Sequence, residues 1–271
     1  MATTTVTNNT TTAMELPVCY VAPGQPLAEV IVNLDGWEYF AGTVHALAGN
    51  SAQPRLAYAY QLPGSSRLLA KLVVNVTAAE AGEASLSTVL SAVRGLQVIS
   101  IQPPTEAGLV MSERQRPELA GTPAAIFGRP IIGGLARGII EAQGEAGERF
   151  LAQLGRDAGH LAASALPPLI EQLGMTISDD LLTRRMRDLQ VMGWATFERA
   201  SIKDSSYGEA VLSDTFEAAP WNQEAASPTC HFLSGFIAGV FSFVWAHPVT
   251  CRELECQATG AATCRFAFQI S

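Results

Sequence analysis

Glu253-Leu254-Glu255-Cys256-Gln257-Ala258-Thr259-Gly260-Ala261-Ala262-Thr263-Cys264-Arg265-Phe266 is the stretch on which the reading of this chain turns. With Cys230 upstream it makes the spaced set Cys230-x22-Glu253-x2-Cys256-x7-Cys264, and four of the chain's five cysteines fall within its last 42 residues. Thiolates and a carboxylate gathered at short spacing are the ligands a borderline-soft divalent ion such as zinc takes. Cysteine is also among the residues most often buried for its own sake, so buried structural thiols are the competing reading. Cys251, two residues before Glu253, is an alternative ligand, and Cys19 lies far from the group.

Working outward, Cys264, Phe266, Phe268 and Ile270 alternate with Thr263, Arg265, Ala267 and Gln269. That is a strand with Cys264 on its apolar, inward face. Residues 249–256 read as its partner, joined through Gly260. Glu253 and Cys256 are three apart, so an ideal strand puts them on opposite faces. They share one ion only if the chain turns near residues 255–256. Cys230 sits at or just inside the start of an apolar helix over residues 230–245, where the positive helix end favours a thiolate. Three thiolates and a carboxylate around a divalent ion leave a net charge of minus two, which Arg252, Arg265 or a protonated His231 could offset.

Further upstream, residues 194–202 and 209–217 read as a strand pair. Ser178 is an N-cap followed by Asp179 and Asp180, with Leu182, Met186 and Leu189 facing inward. Residues 132–161 carry helical spacing from Pro130 on, broken at Gly144 and Gly147 and stopped at Pro167-Pro168. Helices and an antiparallel sheet make this half, residues 125–271, an α+β domain. The first half reads β-α-β-β-α-β over residues 24–104. Its elements are a strand at 27–34, a helix at 37–48, a hairpin of 55–62 with 67–76 around residues 63–66, a helix ending at Gly95, and a strand at 97–101. That is the split βαβ, ferredoxin-like arrangement. Residues 105–124 are expected to link the halves, and residues 1–23, rich in Thr and Asn at their start, to be a disordered tail.

Composition excludes several functions. The net charge is −8, against the positive face a nucleic-acid binder needs. The most apolar stretch, residues 232–245, is shorter than the ~20 residues of a membrane span. With no signal-peptide pattern and an odd cysteine count, the expected compartment is the cytoplasm. No GxGxxG or GxxxxGK[ST] occurs, and the four histidines define no nucleophilic triad. Trp194, Phe197, Phe216, Phe232, Phe236 and Trp245, with His231 beside them, are large groups of the kind that line small-molecule pockets; a plain core is the competing reading.

Two resemblances add to this. The first half resembles ACT and related ferredoxin-like regulatory domains, by element order and the Leu-Asp-Gly turn that ends in Gly36. Such domains often bind amino acids at dimer interfaces, and a dimerisation domain with no ligand is the alternative. The second half resembles the 4-vinyl-reductase domain family. The pattern C-H-x3-G-x3-G is met by Cys230, His231, Gly235 and Gly239, and E-x2-C-x-A-x-G-x3-C-x-F by Glu253, Cys256, Ala258, Gly260, Cys264 and Phe266. Gly144, Gly155 and Asp157-Ala158-Gly159 are similar to that family's opening helices. The resemblance implies a fold shared with subunits of the TRAPP tethering complexes, a homodimer, and a zinc ion held by Cys230, Glu253, Cys256 and Cys264. It implies one of three roles. The first is a non-enzymatic sensory or regulatory protein binding a hydrophobic or aromatic small molecule. The second is an accessory protein or reductase of tetrapyrrole (bacteriochlorophyll-type) biosynthesis, and the third a TRAPP-like scaffold or assembly subunit. Four protein ligands leave zinc no open position for water, which weighs against catalysis.

Overall fold

The structure, a computed structural model, describes residues 19–50, 52–61, 65–76, 83–103, 109–111, 118–119, 122–123, 127–172, 174 and 176–271. Its contacts divide the chain into two units, residues 1–126 and 127–271.

The first unit contains β1 (Cys19–Val21), β2 (Leu27–Leu34), α1 (Trp37–Ala48), β3 (Ala52–Gln61), β4 (Leu68–Val76), α2 (Glu83–Ser91), β5 (Leu96–Gln102), β6 (Leu109–Met111), β7 (Glu118–Leu119) and β8 (Thr122–Pro123). Strands β3-β4-β2-β5 form one antiparallel sheet in that order, which is the order a split βαβ unit produces. Alternation along the strands sorts the faces. Ala28, Val30, Val32 and Leu34 of β2 join Ala70, Leu72 and Val74 of β4 beneath Leu47 of α1 and Leu86 and Leu90 of α2. The opposite face carries Leu27, Val73 and Val110 with Tyr20 and Leu56. It also carries a Lys71–Glu29 ion pair at 2.8 Å, with side chains 1% and 2% exposed. Gly36 is the N-cap of α1 with an extended backbone, φ −177°, a conformation any residue adopts.

Two expectations change here. Cys19–Val21, expected in the tail, pairs with Leu109–Met111, expected in the linker, and β7 pairs with β8 in the same linker. The reason is apolar burial: Tyr20 and Val110 pack on Leu27 and Val73, so both strands cover a sheet face that would otherwise meet water. Residues 1–18 of the expected tail, residues 63–64 of the expected hairpin turn and most of the expected linker lie outside the described residues.

The second unit contains α3 (Arg129–Gln143), α4 (Glu145–Ser164), α5 (Leu166–Gln172), α6 (Asp179–Arg185), α7 (Asp188–Val191), β9 (Thr196–Lys203), β10 (Tyr207–Ser213), α8 (His231–Val244), β11 (Val249–Glu255) and β12 (Cys264–Ile270). Its sheet is antiparallel in the order β11-β12-β10-β9. Pro167 and Pro168 do not stop the helical region. They lie in the first turn of α5, where the missing N–H has no intrahelical partner to lose. Ser178 caps α6 by accepting the N–H of Leu181 at 3.2 Å.

Helix α8 lies between the sheet and α4. Leu233, Ile237 and Phe241 point into the sheet core with Leu212, Phe266 and Phe268. Its other side meets α4 through glycines. A Cβ on Gly235 or Gly239 would overlap the carbonyl oxygen of Ala152 or Arg156, and one on Gly155 or Gly159 the carbonyl of Phe232 or Phe236. Two glycines spaced by four on each helix thus let the backbones touch. Among the described residues no helix is long and apolar enough to cross a membrane.

Candidate metal centre

The start of α8, the end of β11 and the start of β12 meet in the sheet core. Cys230 is the N-cap of α8, Cys264 is the first residue of β12, and Glu253 and Cys256 flank the end of β11. What brings the last two to one side is a β-bulge. Glu253 pairs with Phe266 and Glu255 with Arg265, so Leu254 is the extra residue. A bulge resets the alternation of the strand. Leu254 and Glu255 both face outward, while Cys256 turns in and is buried.

One donor atom from each of Cys230, Glu253, Cys256 and Cys264 lies within 4.8 Å of the others. The Cys230 and Cys264 sulfurs are 3.7 Å apart, and the three cysteines are buried. Glu253 Oε2 accepts the Cys230 N–H at 2.9 Å. Its Oε1 is buried with no hydrogen-bond partner among the described residues, a costly state for a carboxylate oxygen unless a cation meets it.

Electrostatics point the same way. Burial pushes the Cys230 thiol well above its ordinary value, with hydrogen bonding to Cys256 adding to it. Burial and the neighbouring Cys256 also raise Glu253. Hydrogen bonds from Cys230 and Cys264 hold Cys256 far below the usual thiol range. Four acids at this range thus share protons around one thiolate, and a divalent cation is what lets all four ionise.

The expected charge compensation by Arg252, Arg265 and His231 is not what the structure shows. Arg252 is exposed, Arg265 donates outward to Glu255 at 2.9 Å, and burial lowers the pKa of His231, keeping it neutral. Hydrogen-bond donors stand there instead. Thr215 Oγ1 is 3.3 Å from the Cys230 sulfur and 3.7 Å from that of Cys264. Thr229 Oγ1 is 3.7 Å from the Cys256 sulfur, and the Gln257 N–H donates to Cys264 at 3.3 Å. Toward a metal-bound thiolate these groups donate, and such outer contacts orient ligands and spread their charge. Cys251, the alternative ligand, is half-buried on β11 and is not among the four converging donors.

Four of the seven expected pocket residues come together. Trp194 meets Phe236, Phe232 and Phe216 edge-on at 5.0, 5.5 and 6.2 Å between ring centroids, and Phe216 meets Phe232 at 5.9 Å. His231, at the head of the same helix, has Nε2 3.9 Å from Glu148 Oε1. The other two lie elsewhere. Trp245 packs with Phe241 and Phe268, and Phe197 lies under the Arg187 guanidinium. A recess of about 230 Å³ is lined by Asp214, Ala218, Ala219, Asn222, Gln223 and Gln257, and by none of the seven.

The residue that sequence reasoning missed is Glu217. It is 1% exposed and accepts the N–H groups of Phe232 and Leu233. The available signal was an acid set among Phe216, Ala218 and Ala219.

No curated protein sequence matches the chain. Three solved structures are similar in fold. The phenol-responsive sensory domain of the transcription activator PoxR, with phenol, is 20% identical, covers 55% of this chain and 78% of its own, and has a TM-score of 0.48. A trafficking protein particle complex subunit 3 from Naegleria fowleri, covalently bound to palmitic acid, is 12% identical, with 53% and 95% covered and a TM-score of 0.38. A vinyl-4-reductase family protein from Methanocaldococcus jannaschii is 15% identical, with 55% and 84% covered and a TM-score of 0.36. The family comparison is confined to one stretch that holds all four converging donors and Glu217: residues 212–270 match the 4-vinyl-reductase domain.

Proposed function

We propose that this protein is a non-enzymatic sensory or regulatory protein, in which a zinc-stabilised 4-vinyl-reductase-type domain binds a hydrophobic or aromatic small molecule. The observation that carries the metal reading is the buried, unpartnered Glu253 Oε1 among three converging thiols. Three sulfurs and one oxygen suit tetrahedral zinc and complete its coordination, so the ion knits α8 to the two last strands and activates no water. Cys230, Glu253, Cys256 and Cys264 are its ligands. Support for the small molecule comes from the family match over residues 212–270 and from the Trp194, Phe216, Phe232 and Phe236 rings beside the metal site. His231 Nε2 is buried without a hydrogen-bond partner among the described residues and offers that molecule a polar handle. Free thiols suit a reducing cytoplasm.

Native mass spectrometry of the purified protein, before and after mild denaturation, is expected to show one zinc ion per chain and a retained small molecule. A folded sample without stoichiometric metal refutes the zinc reading. A retained tetrapyrrole favours the biosynthetic role instead.

A homodimer belongs to this reading. Ile131 and Leu135 on α3, and Phe150, Leu154 and Leu161 on α4, recur at helical spacing and are between 46% and 73% exposed. Contiguous exposed apolar surface marks an interaction site, and a two-fold contact sets such a patch against its own copy. Leu135→Glu combined with Leu161→Glu is expected to convert a dimeric mass to a monomeric one with zinc content unchanged. An unaltered dimer places the contact elsewhere.

A further inference from the structure

We infer that Glu217 is the positioning residue of the metal centre: it caps α8 in place of the N-cap residue and so frees Cys230 to aim its sulfur at the ion. The inference rests on the metal reading above. A helix N-cap is ordinarily Ser, Thr, Asp or Asn, whose side chain accepts an N–H two or three residues along. The N-cap of α8 is Cys230, and its side chain makes no such bond. Its sulfur turns instead toward Cys264 at 3.7 Å and Thr215 Oγ1 at 3.3 Å. The N–H groups at the second and third helical positions, Phe232 and Leu233, donate to Glu217 Oε1 and Oε2 at 2.9 and 2.8 Å. Both carboxyl oxygens are thus engaged by the helix start, whose partial positive charge favours an acid there.

Glu217 comes from the segment that follows β10, and that segment reaches the centre twice. Thr215, fully buried, approaches the Cys230 and Cys264 sulfurs and accepts the Ala218 N–H at 3.3 Å. Glu217, two residues on, holds the backbone that carries Cys230. A helix start left with two unpaired buried N–H groups is strongly disfavoured. The side chain placed to relieve it is that of the N-cap, and a sulfur recruited to that task is lost to the ion. Placing the cap on a distant carboxyl resolves the conflict.

The test is cobalt(II) uptake, followed by thiolate-to-cobalt charge-transfer absorption and chelator competition, in the full chain. Glu217→Gln keeps one acceptor oxygen and is expected to lower affinity about tenfold, and Glu217→Ala up to about a hundredfold, with a weaker charge-transfer band as one sulfur leaves. Without metal, Glu217→Ala/Cys230→Ser is expected to be more stable than Glu217→Ala, because the new hydroxyl at position 230 takes up the cap. Wild-type affinity and band intensity in the Gln and Ala variants overturn the proposal, as does a double variant no more stable than the single. If Glu217→Ala does not fold, wild-type affinity in Glu217→Gln overturns it alone. A wild-type protein that takes up no cobalt refutes the metal reading. The metal-free stability comparison then still decides whether Glu217 caps in place of Cys230.

Discussion

Gly235→Val is expected to prevent the second unit from folding. The position has no room for even one added carbon, because a Cβ there overlaps the carbonyl oxygen of Ala152 on α4 and lies 3.0 Å from the Arg156 nitrogen. Those neighbours are backbone, so no rotamer change relieves the clash. Helices α4 and α8 would have to separate along the line set by Gly155, Gly159, Gly235 and Gly239. Separation exposes Leu151, buried on α4, and loosens α8 from its seat on the sheet. Overpacking at a yielding site costs about 1–3 kcal/mol and more where nothing yields, against a total domain stability of only about 5–15 kcal/mol. Gly134→Ala is the control. Nothing lies within 4 Å of its Cβ, and on α3 it should stabilise by about 1 kcal/mol through helix propensity. Chemical denaturation of the two variants checks the pair. A folded Gly235→Val protein with wild-type stability would refute the close approach of the two helices.

Cys256→Ala is expected to abolish metal binding and to lower the stability of the second unit by about 4 kcal/mol when free metal stands about a thousandfold above its dissociation constant. The residue is buried, it follows the bulge that aims it, and its sulfur lies within the donor cluster. Removal of the metal by a chelator should reproduce the loss in the wild type. The two forms should also respond oppositely to pH. With the ion bound, its ligands must stay deprotonated, so acid expels it and stability falls as pH falls. In the stripped protein burial pushes the Glu217 carboxyl up from 4.5 to about 8 and raises Glu253 as well. The unfolded chain releases those protons near pH 4.5, while the folded one keeps them to about 8. The associated stability is therefore complete below pH 4.5 and is lost as pH rises through that window. Thermal melts of both forms between about pH 5 and 8 check the sign.

What could be read from the sequence follows the range of the signal. Residues 27–34 and 37–48 show their strand and helix through spacings of two and of three to four, and the structure places β2 and α1 there. The four donors were legible as a set by type and spacing, yet their convergence was not. Whether Glu253 and Cys256 share a side depends on the bulge at Leu254, which arises from pairing with β12 and leaves no local mark. Cys19–Val21 carries too few residues for a periodicity, and its partner lies about 90 residues away. Apolar type showed that Trp194 and Trp245 are inside, but not that one joins Phe232 and the other Phe268. Glu217 escaped because a buried acid is recognised by what it touches, not by where it falls in the chain.

Strand β12 occupies an interior place in its sheet, joining β11 on one side to β10 on the other. During synthesis β10 leaves the ribosome some 50 residues earlier and waits with one edge open until residues 264–270 emerge. Until then the nascent chain carries an unpaired strand edge and an uncovered apolar helix, which are the features that chaperones bind and that seed aggregation. A nonsense mutation or proteolytic nick anywhere before Cys264 would therefore remove far more than a tail, since it leaves β11 and β10 with no strand between them.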